Sequence, residues 1–539
     1  MPPAPPPTVE PAPTTKVVPA LPPAPTLESP GVAARFAEPA VSYQTPGLAP
    51  GRSTFTTDAE LQAALRALVR DGGAAGGPST VRLLTAGSSQ LGVPIEALLF
   101  TRSADSGIAG LRADARPTVL FVGQQHGDEP ASAEAMLVLA QQLAQGPLQS
   151  MLKQLNVIVL PRANPDGARR PQRRTANGID LNRDHLLLRT PEAQAQARLV
   201  REYRPMVVVD AHEYQPIGSW PARFGIVRRH DVLLQYAMTG NQAEFVTRAS
   251  EEWFRKPLLA ALERERLSVD WYHMSQPDPA DRHVAMGSIR PDNLRNVNGL
   301  RHAVSLLIET RGLGLGRSHL QRRVHSQVVA ATSILASAAQ RAADLQKLRR
   351  FVEADVGSQA CQGQVTLEAE TTPSEYNLSG LDPVSGEVRT LSVNWLSALQ
   401  LRSVRTRTRP CGYWLAADQT EAVLRLRLLG LNVQQVSERL GMRGESYKVL
   451  TEAWRNAPPD GVGEDSGFAT PVPVELQPAL IDAEPGSYFV PLTQPLALLA
   501  IAALEPDTPG SYLAHGVIER AGALARITTL PGVKLPQVP

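Results

Sequence analysis

The run Thr118-Val119-Leu120-Phe121-Val122-Gly123-Gln124-Gln125 leads straight into His126-Gly127-Asp128-Glu129, then into Pro130 and the stretch Ala131 to Gln145. The first part is short, apolar and β-branched, which suits a strand buried on both faces. Pro130 suits the first turn of a helix, where its missing N–H is not needed, and Ala131 to Gln145 carries helical spacing. A buried strand, a polar turn and a helix make up half of an α/β unit. In open α/β sheets functional groups gather beyond the carboxyl ends of the strands, which is where His126 to Glu129 fall.

Outward from this unit the alternation continues. Val81 to Thr85 and Pro94 to Thr101 read as paired strands upstream. Downstream come a strand from Leu155 to Arg162, a helix from Pro191 to Tyr203, the apolar strand Met206 to Asp210, a long helical segment from Asn241 to Leu267 and a strand from Val304 to Arg311. Ser318 to about Val356 reads as one or two helices. The pattern predicts an α/β fold with a mixed, largely parallel central sheet flanked by helices. Residues 1–50 are rich in Pro, Ala and Thr, with twelve prolines in the first thirty positions, and are expected to be flexible. The catalytic unit is expected over 51–345. Residues 346–539 change character to short apolar runs with Gly and Pro punctuation, and a strand-helix-strand reading surrounds Gly412 to Val436. A separate C-terminal α+β accessory domain of unknown role is expected there.

The chain has 539 residues, 43% apolar and 20% charged, with 54 Lys and Arg against 52 Asp and Glu. That balance excludes collagen, coiled coil and wholesale disorder, and a net charge of +2 supplies no general field for nucleic acid. No nucleic-acid partner is expected. No segment approaches twenty apolar residues, so no membrane span is expected either. The N-terminus lacks the layout of a secretion signal; export with that segment absent from this chain is left open, and the oligomeric state is not readable. Cys361 and Cys411 have no metal-type spacing, and either a disulfide or two buried thiols is compatible with them.

Four features carry chemistry. His126 and Glu129 at i and i+3 can share a divalent ion, although His-x-x-Glu alone is equally a solvated turn. His212 takes the same strand-end position in Asp210-Ala211-His212-Glu213-Tyr214; alone it could cap a sheet edge, but two histidines and one carboxylate are a catalytic zinc set with one position open to water. Between positions 162 and 189 seven arginines meet three acids, around Asn164-Pro165-Asp166-Gly167 and Gly178-Ile179-Asp180-Leu181-Asn182-Arg183. Planar guanidinium groups can clamp a substrate carboxylate, and an exposed basic loop or a phosphate patch is the competing reading. Glu309 closes the apolar run Val304 to Ile308. A carboxylate there needs a partner, such as Arg311, or a task, such as general base to a metal-activated water.

Taken together, His126-x-x-Glu129, Asn164-Pro-Asp-Gly, Arg173, Gly178-x-Asp-Leu-Asn-Arg183, His212 and Glu309 in an Ile-Glu-Thr-Arg setting resemble the zinc carboxypeptidases of the carboxypeptidase A family, over roughly residues 85 to 317. The resemblance implies one Zn2+ per chain on His126, Glu129 and His212, with Asp180 orienting His126. It implies Asn182 and Arg183 holding the terminal carboxylate of a peptide substrate, and Arg173, or adjacent Arg174, stabilising the developing oxyanion. Glu309 then matches the general base, and the implied activity is hydrolysis of the C-terminal peptide bond. Asp128 departs from the family pattern, standing where digestive members carry a substrate-binding arginine. Tyr272 is a candidate for the family's active-site tyrosine.

A zinc amidohydrolase of the succinylglutamate desuccinylase or aspartoacylase type, acting on N-acyl amino acids, uses a similar ligand set and is the alternative within hydrolases. A further reading takes Val433 to Tyr447 as the first helix and turn of a DNA-binding helix-turn-helix, against an ordinary amphipathic helix of the accessory domain.

Overall fold

A computed structural model describes residues 28–74, 80–275, 282–451 and 471–538. Its centre is an eight-stranded sheet. From edge to edge the strands are Thr80–Ser88, Pro94–Thr101, Asn156–Leu160, Thr118–Gly123, Val207–Tyr214, Val304–Arg311, Val232–Tyr236 and Val269–Trp271. The four middle strands, Asn156–Leu160 through Val304–Arg311, run parallel, and antiparallel pairings flank them. Every residue of these four strands is buried. That is why they read as unbroken apolar runs: a parallel sheet is covered on both faces.

Alternate side chains feed two different cores. Val119, Phe121, Val157 and Val159 pack with helices Pro130–Gln145 and Leu320–Gln340 on one face. Leu120, Val122, Ile158 and Leu160 pack with helix Pro191–Tyr203 on the other. That second core continues without a break into Tyr413, Leu426 and Leu499 of the C-terminal sheet region. There, six antiparallel strands are ordered Gln434–Gln435, Tyr488–Pro491, Gly412–Leu415, Leu524–Ile527, Leu440–Val449 and Val474–Ala483. Polar ties cross the seam as well: Tyr512 donates to the Leu186 carbonyl at 3.0 Å and Arg425 to the Leu187 carbonyl at 2.8 Å.

Between the two sheets stands a long hairpin, Gln364–Leu381 paired with Val388–Thr408, which recruits Val227–Arg228, Val284–Met286 and His273–Ser275 into a third sheet. The Cys361–Cys411 disulfide closes the hairpin at its base.

Several expectations are corrected. Residues 28–50 are not loose: Glu28 pairs with Arg311 at 2.5 Å, Phe36 lies under the Arg311 guanidinium at 3.9 Å, and Val32 and Phe36 are buried against Val227 and Leu381. Residues 1–27 lie outside the described residues. The helical segment expected from Asn241 to Leu267 is shorter and broken by a π-turn, as Glu244–Ala249, Ser250–Arg255 and Lys256–Arg264. Val433 to Tyr447 contains no helix. Leu440–Val449 is a strand whose Met442, Gly444 and Tyr447 are buried, so neither the helix-turn-helix nor the amphipathic helix forms. Gly444 belongs to the strand for a steric reason: a Cβ there would lie 2.1 Å from the Arg526 carbonyl oxygen.

Candidate metal centre and substrate cleft

Strand ends position the site. Just past Thr118–Gly123, Gln124 takes a left-handed backbone at φ 46° and turns the chain so that His126 faces the crevice. A Cβ on Gly127 would sit 2.0 Å from the Gly167 backbone, so the turn needs glycine to approach the Asn164-Pro165-Asp166-Gly167 loop. Asn164 holds that loop in place, accepting from Gly167 N at 2.9 Å and donating to the Gln125 carbonyl at 3.1 Å. Glu129 occupies the N-cap position of helix Pro130–Gln145 without a side-chain capping bond, which leaves its carboxylate for the histidines. His212 lies in Val207–Tyr214, and Glu309 sits directly opposite it in the neighbouring parallel strand.

These placements bring His126, Glu129 and His212 together, all three buried, with one ligand atom from each within 4.8 Å of the others. His126 Nδ1 is 2.6 Å from Glu129 Oε1, His212 Nδ1 is 2.7 Å from Glu129 Oε2, and the two Nδ1 atoms are 3.1 Å apart. The outer ring nitrogens are committed elsewhere: His126 Nε2 to Asp180 Oδ1 at 3.1 Å and His212 Nε2 to Asp210 Oδ1 at 2.7 Å. Carboxylates at those positions fix each tautomer and leave both Nδ1 lone pairs pointing at one point. Two lone pairs so close repel unless a cation lies between them. The edge of a tetrahedron built on zinc–nitrogen bonds of 2.0–2.1 Å is about 3.3 Å, close to the spacing seen. The donor set therefore fits zinc with one coordination position open.

Arg173 reaches this cluster from outside, with Nε 3.0 Å and Nη2 2.9 Å from Asp180 Oδ2, and Nη1 3.2 Å from His126 Nδ1. Its side chain is 32% exposed and lines the cleft. Asn182 donates to Asp210 Oδ2 at 2.9 Å and accepts from Leu294 N at 2.9 Å. Arg183 donates to the Asn182 carbonyl at 2.8 Å. Arg173, Asn182, Arg183, Tyr272 and Glu309 all line one cavity of about 390 Å³ together with His126 and Glu129. Arg174 faces away, donating to the Gly178 carbonyl at 2.9 Å.

Two carboxylates in this site are driven apart. Burial works against ionisation of Glu129, but His126 and His212 outweigh it and hold the carboxyl far below the usual range. Burial pushes Glu309 up to about 7, and His212 only partly offsets that. One is a permanent anion suited to a cation, the other a carboxylate that can gain and lose a proton near neutrality. Asp180, opposed by burial, is kept well below the usual range by Arg173 and His126.

Asp210 was missed as a site residue, yet a signal for it existed: Asp210 and His212 are two apart on a strand, so both side chains point to one face. Gln125 and His185 had no such signal. Gln125 donates to Asp210 Oδ1 at 2.6 Å and lies 2.6 Å from His185 Nε2, a chain that only folding assembles. Glu213 buttresses the far side, accepting from Arg323 at 2.7 Å and from Ala131 N at 2.8 Å while its own N–H donates to Glu129 Oε2 at 3.0 Å.

The sequence model of the family described as zinc carboxypeptidase matches residues 71–223, a span containing His126, Glu129 and His212. That match and the curated relatives support a zinc carboxypeptidase. Carboxypeptidase 2 of Trichophyton rubrum is 27% identical over 409 residues, 74% of this chain and 74% of that protein. Carboxypeptidase D of Mus musculus is 29% identical over 224 residues, 34% of this chain and 16% of that protein. Among solved structures, carboxypeptidase A from Helicoverpa armigera covers 57% of this chain and 79% of its own at 16% identity, with a TM-score of 0.40. The family match ends before Glu309, which enters the site through the pairing of Val304–Arg311 with Val207–Tyr214.

Proposed function

We propose that this zinc metallocarboxypeptidase removes the C-terminal residue of peptides with a free carboxylate, using His126, Glu129 and His212 as zinc ligands and Glu309 as general base. The observation that carries the reading is the convergence of those three donors at the edge of a cavity that His126 and Glu129 line together with Glu309, Arg173 and Arg183, with Glu309 across the strand pair from His212. Zinc bound there supplies Lewis acidity, lowering the pKa of a water and polarising a carbonyl oxygen. Glu309 accepts a proton from the attacking water and passes it to the departing amine, a task matched by a carboxyl that burial has pushed up to about 7. Arg173, tied to Asp180 and lining the cleft, stabilises negative charge on the carbonyl oxygen.

Arg183 takes the terminal carboxylate. Asn182 assists it from the lining of the same cavity, its amide nitrogen held 2.9 Å from Asp210 Oδ2 and 3.0 Å from His212 Nε2. An internal peptide bond offers Arg183 no charge, so exopeptidase action follows. The Cys361–Cys411 disulfide supports an exported protein, since such bonds persist in oxidising compartments; no helix among the described residues is long and apolar enough to cross a membrane.

A matched set of peptides, free or amidated at the C-terminus, tests the reading. Release of the last residue only from free-ended peptides, lost with chelator and regained with zinc, is expected. Cleavage of amidated peptides, or a preference for N-acyl amino acids, overturns it.

A further inference from the structure

Arg295 begins inside the helix Leu294–Gly299 and is 3% exposed, yet it lines the same cavity as Arg183 and Glu309. Its hydrogen bonds go to neutral acceptors: Nη2 to the Ser288 carbonyl at 2.8 Å and Nε to Asn296 Oδ1 at 3.3 Å. Among the described residues no carboxylate forms an ion pair with it. Asp210 and Asp292 act on it only from a distance, and Asp210 is already engaged by His212, Gln125 and Asn182. Burial lowers its pKa to about 10, with Arg183 adding to the fall, so it stays charged at neutral pH. By contrast Arg173, on the metal side of the same cavity, has Asp180 as a direct counter-ion.

A buried guanidinium without a counter-ion is costly, and a ligand carboxylate would remove the cost. Arg183 is the arginine assigned to the substrate's terminal carboxylate. Arg295 is placed next to it by a direct tie: Leu294 N donates to Asn182 Oδ1 at 2.9 Å, which fixes the first turn of the Arg295 helix against the residue preceding Arg183. Two neighbouring cationic walls can receive two carboxylates. One amino acid that carries two, at the end of a chain, is aspartate or glutamate.

We infer that the cleft selects peptides ending in an acidic residue and that Arg295 is the specificity-determining residue for that side chain. This rests on the carboxypeptidase reading above. Leu307 and Met274 on the same wall pack the side chain's methylene groups, and the guanidinium of Arg295 takes its carboxylate as a charge-assisted pair.

The test uses the whole zinc-loaded enzyme and peptides identical except for a final Glu, Gln, Leu or Lys. A kcat/KM for Glu at least about tenfold above that for its isostere Gln is expected, the size of one charge-assisted hydrogen bond. R295Q is expected to collapse the Glu-to-Gln ratio towards one, and R295K to retain part of it. If the unaltered enzyme trims free-ended peptides but handles Gln, Leu or Lys as well as Glu, the specificity inference is wrong while the carboxypeptidase reading stands. A Glu preference that survives in R295Q removes Arg295 from the role. No release from any free-ended peptide removes both.

Discussion

The two walls of the cleft are built on opposite electrostatic plans. On the metal side the ligands and their supports are paired: Glu129 sits between two histidines, each histidine backs onto a carboxylate, and Arg173 closes the ring through Asp180. Away from the metal Arg295 is buried with only neutral acceptors, and Glu309, beside His212 on the neighbouring strand, has its carboxyl pushed up by burial. A wall whose charges are already satisfied holds its shape; a wall with unsatisfied charges waits for a substrate to supply the missing partner. Catalytic sites need both, one to fix an ion and the other to spend binding energy on a ligand.

That contrast can be attacked directly, beginning where the effect is greatest. Glu309→Gln removes a proton acceptor without touching the ligands, and turnover is expected to fall by about 10²–10⁴ while metal content stays at one ion per chain. Stopped assays with parallel elemental analysis check it; unchanged turnover would remove Glu309 from the mechanism. Arg173→Ala is expected to cost on the order of 10²–10³, lowering kcat and kcat/KM together because the charge it stabilises exists only in the transition state.

Asp210→Asn tests the satisfied wall. It keeps the shape but weakens the acceptor facing His212 Nε2, and zinc affinity is expected to drop about 10–100-fold in a competition titration with a chelating dye. If affinity holds, the backing carboxylate is ornamental and the comparison between the walls loses half its content. Arg183→Ala is the smallest of the four, expected to raise KM for free-ended peptides about tenfold or more with zinc content unchanged. An equal rise for C-terminally amidated peptides would show that the arginine does not read the carboxylate.

Legibility followed the same physics as stability. His126, Glu129, His212 and Glu309 each stand at the end of, or just beyond, an apolar strand, and polar groups interrupting such runs stand out in the sequence alone. The parallel strands themselves were readable for the same reason, since burial on both faces leaves little room for polar residues. The segment Leu440–Val449 was not readable: its glycines and alternating polar residues fit a half-buried strand, while Val433, Val436 and Leu440 leading into it are spaced as on a helix. Only pairing with Val474–Ala483 and Leu524–Ile527 resolves that ambiguity. Residues 28–50 misled in the opposite way. Their composition is that of a linker, yet Glu28 and Phe36 find Arg311 some three hundred positions away, a contact no local pattern announces.

The linear chain by itself determined a buried parallel sheet and the donors that cap its strands, because a long apolar run and a polar residue at its end are local facts. Only the tertiary structure decided that Asp210 and Gln125 stand behind His212, that the C-terminal sheet shares a core with helix Pro191–Tyr203, and that Arg295 faces the same cavity as Arg183. Those are relations between segments far apart along the backbone. They exist once packing has set which side chains meet and which charges are left without a partner.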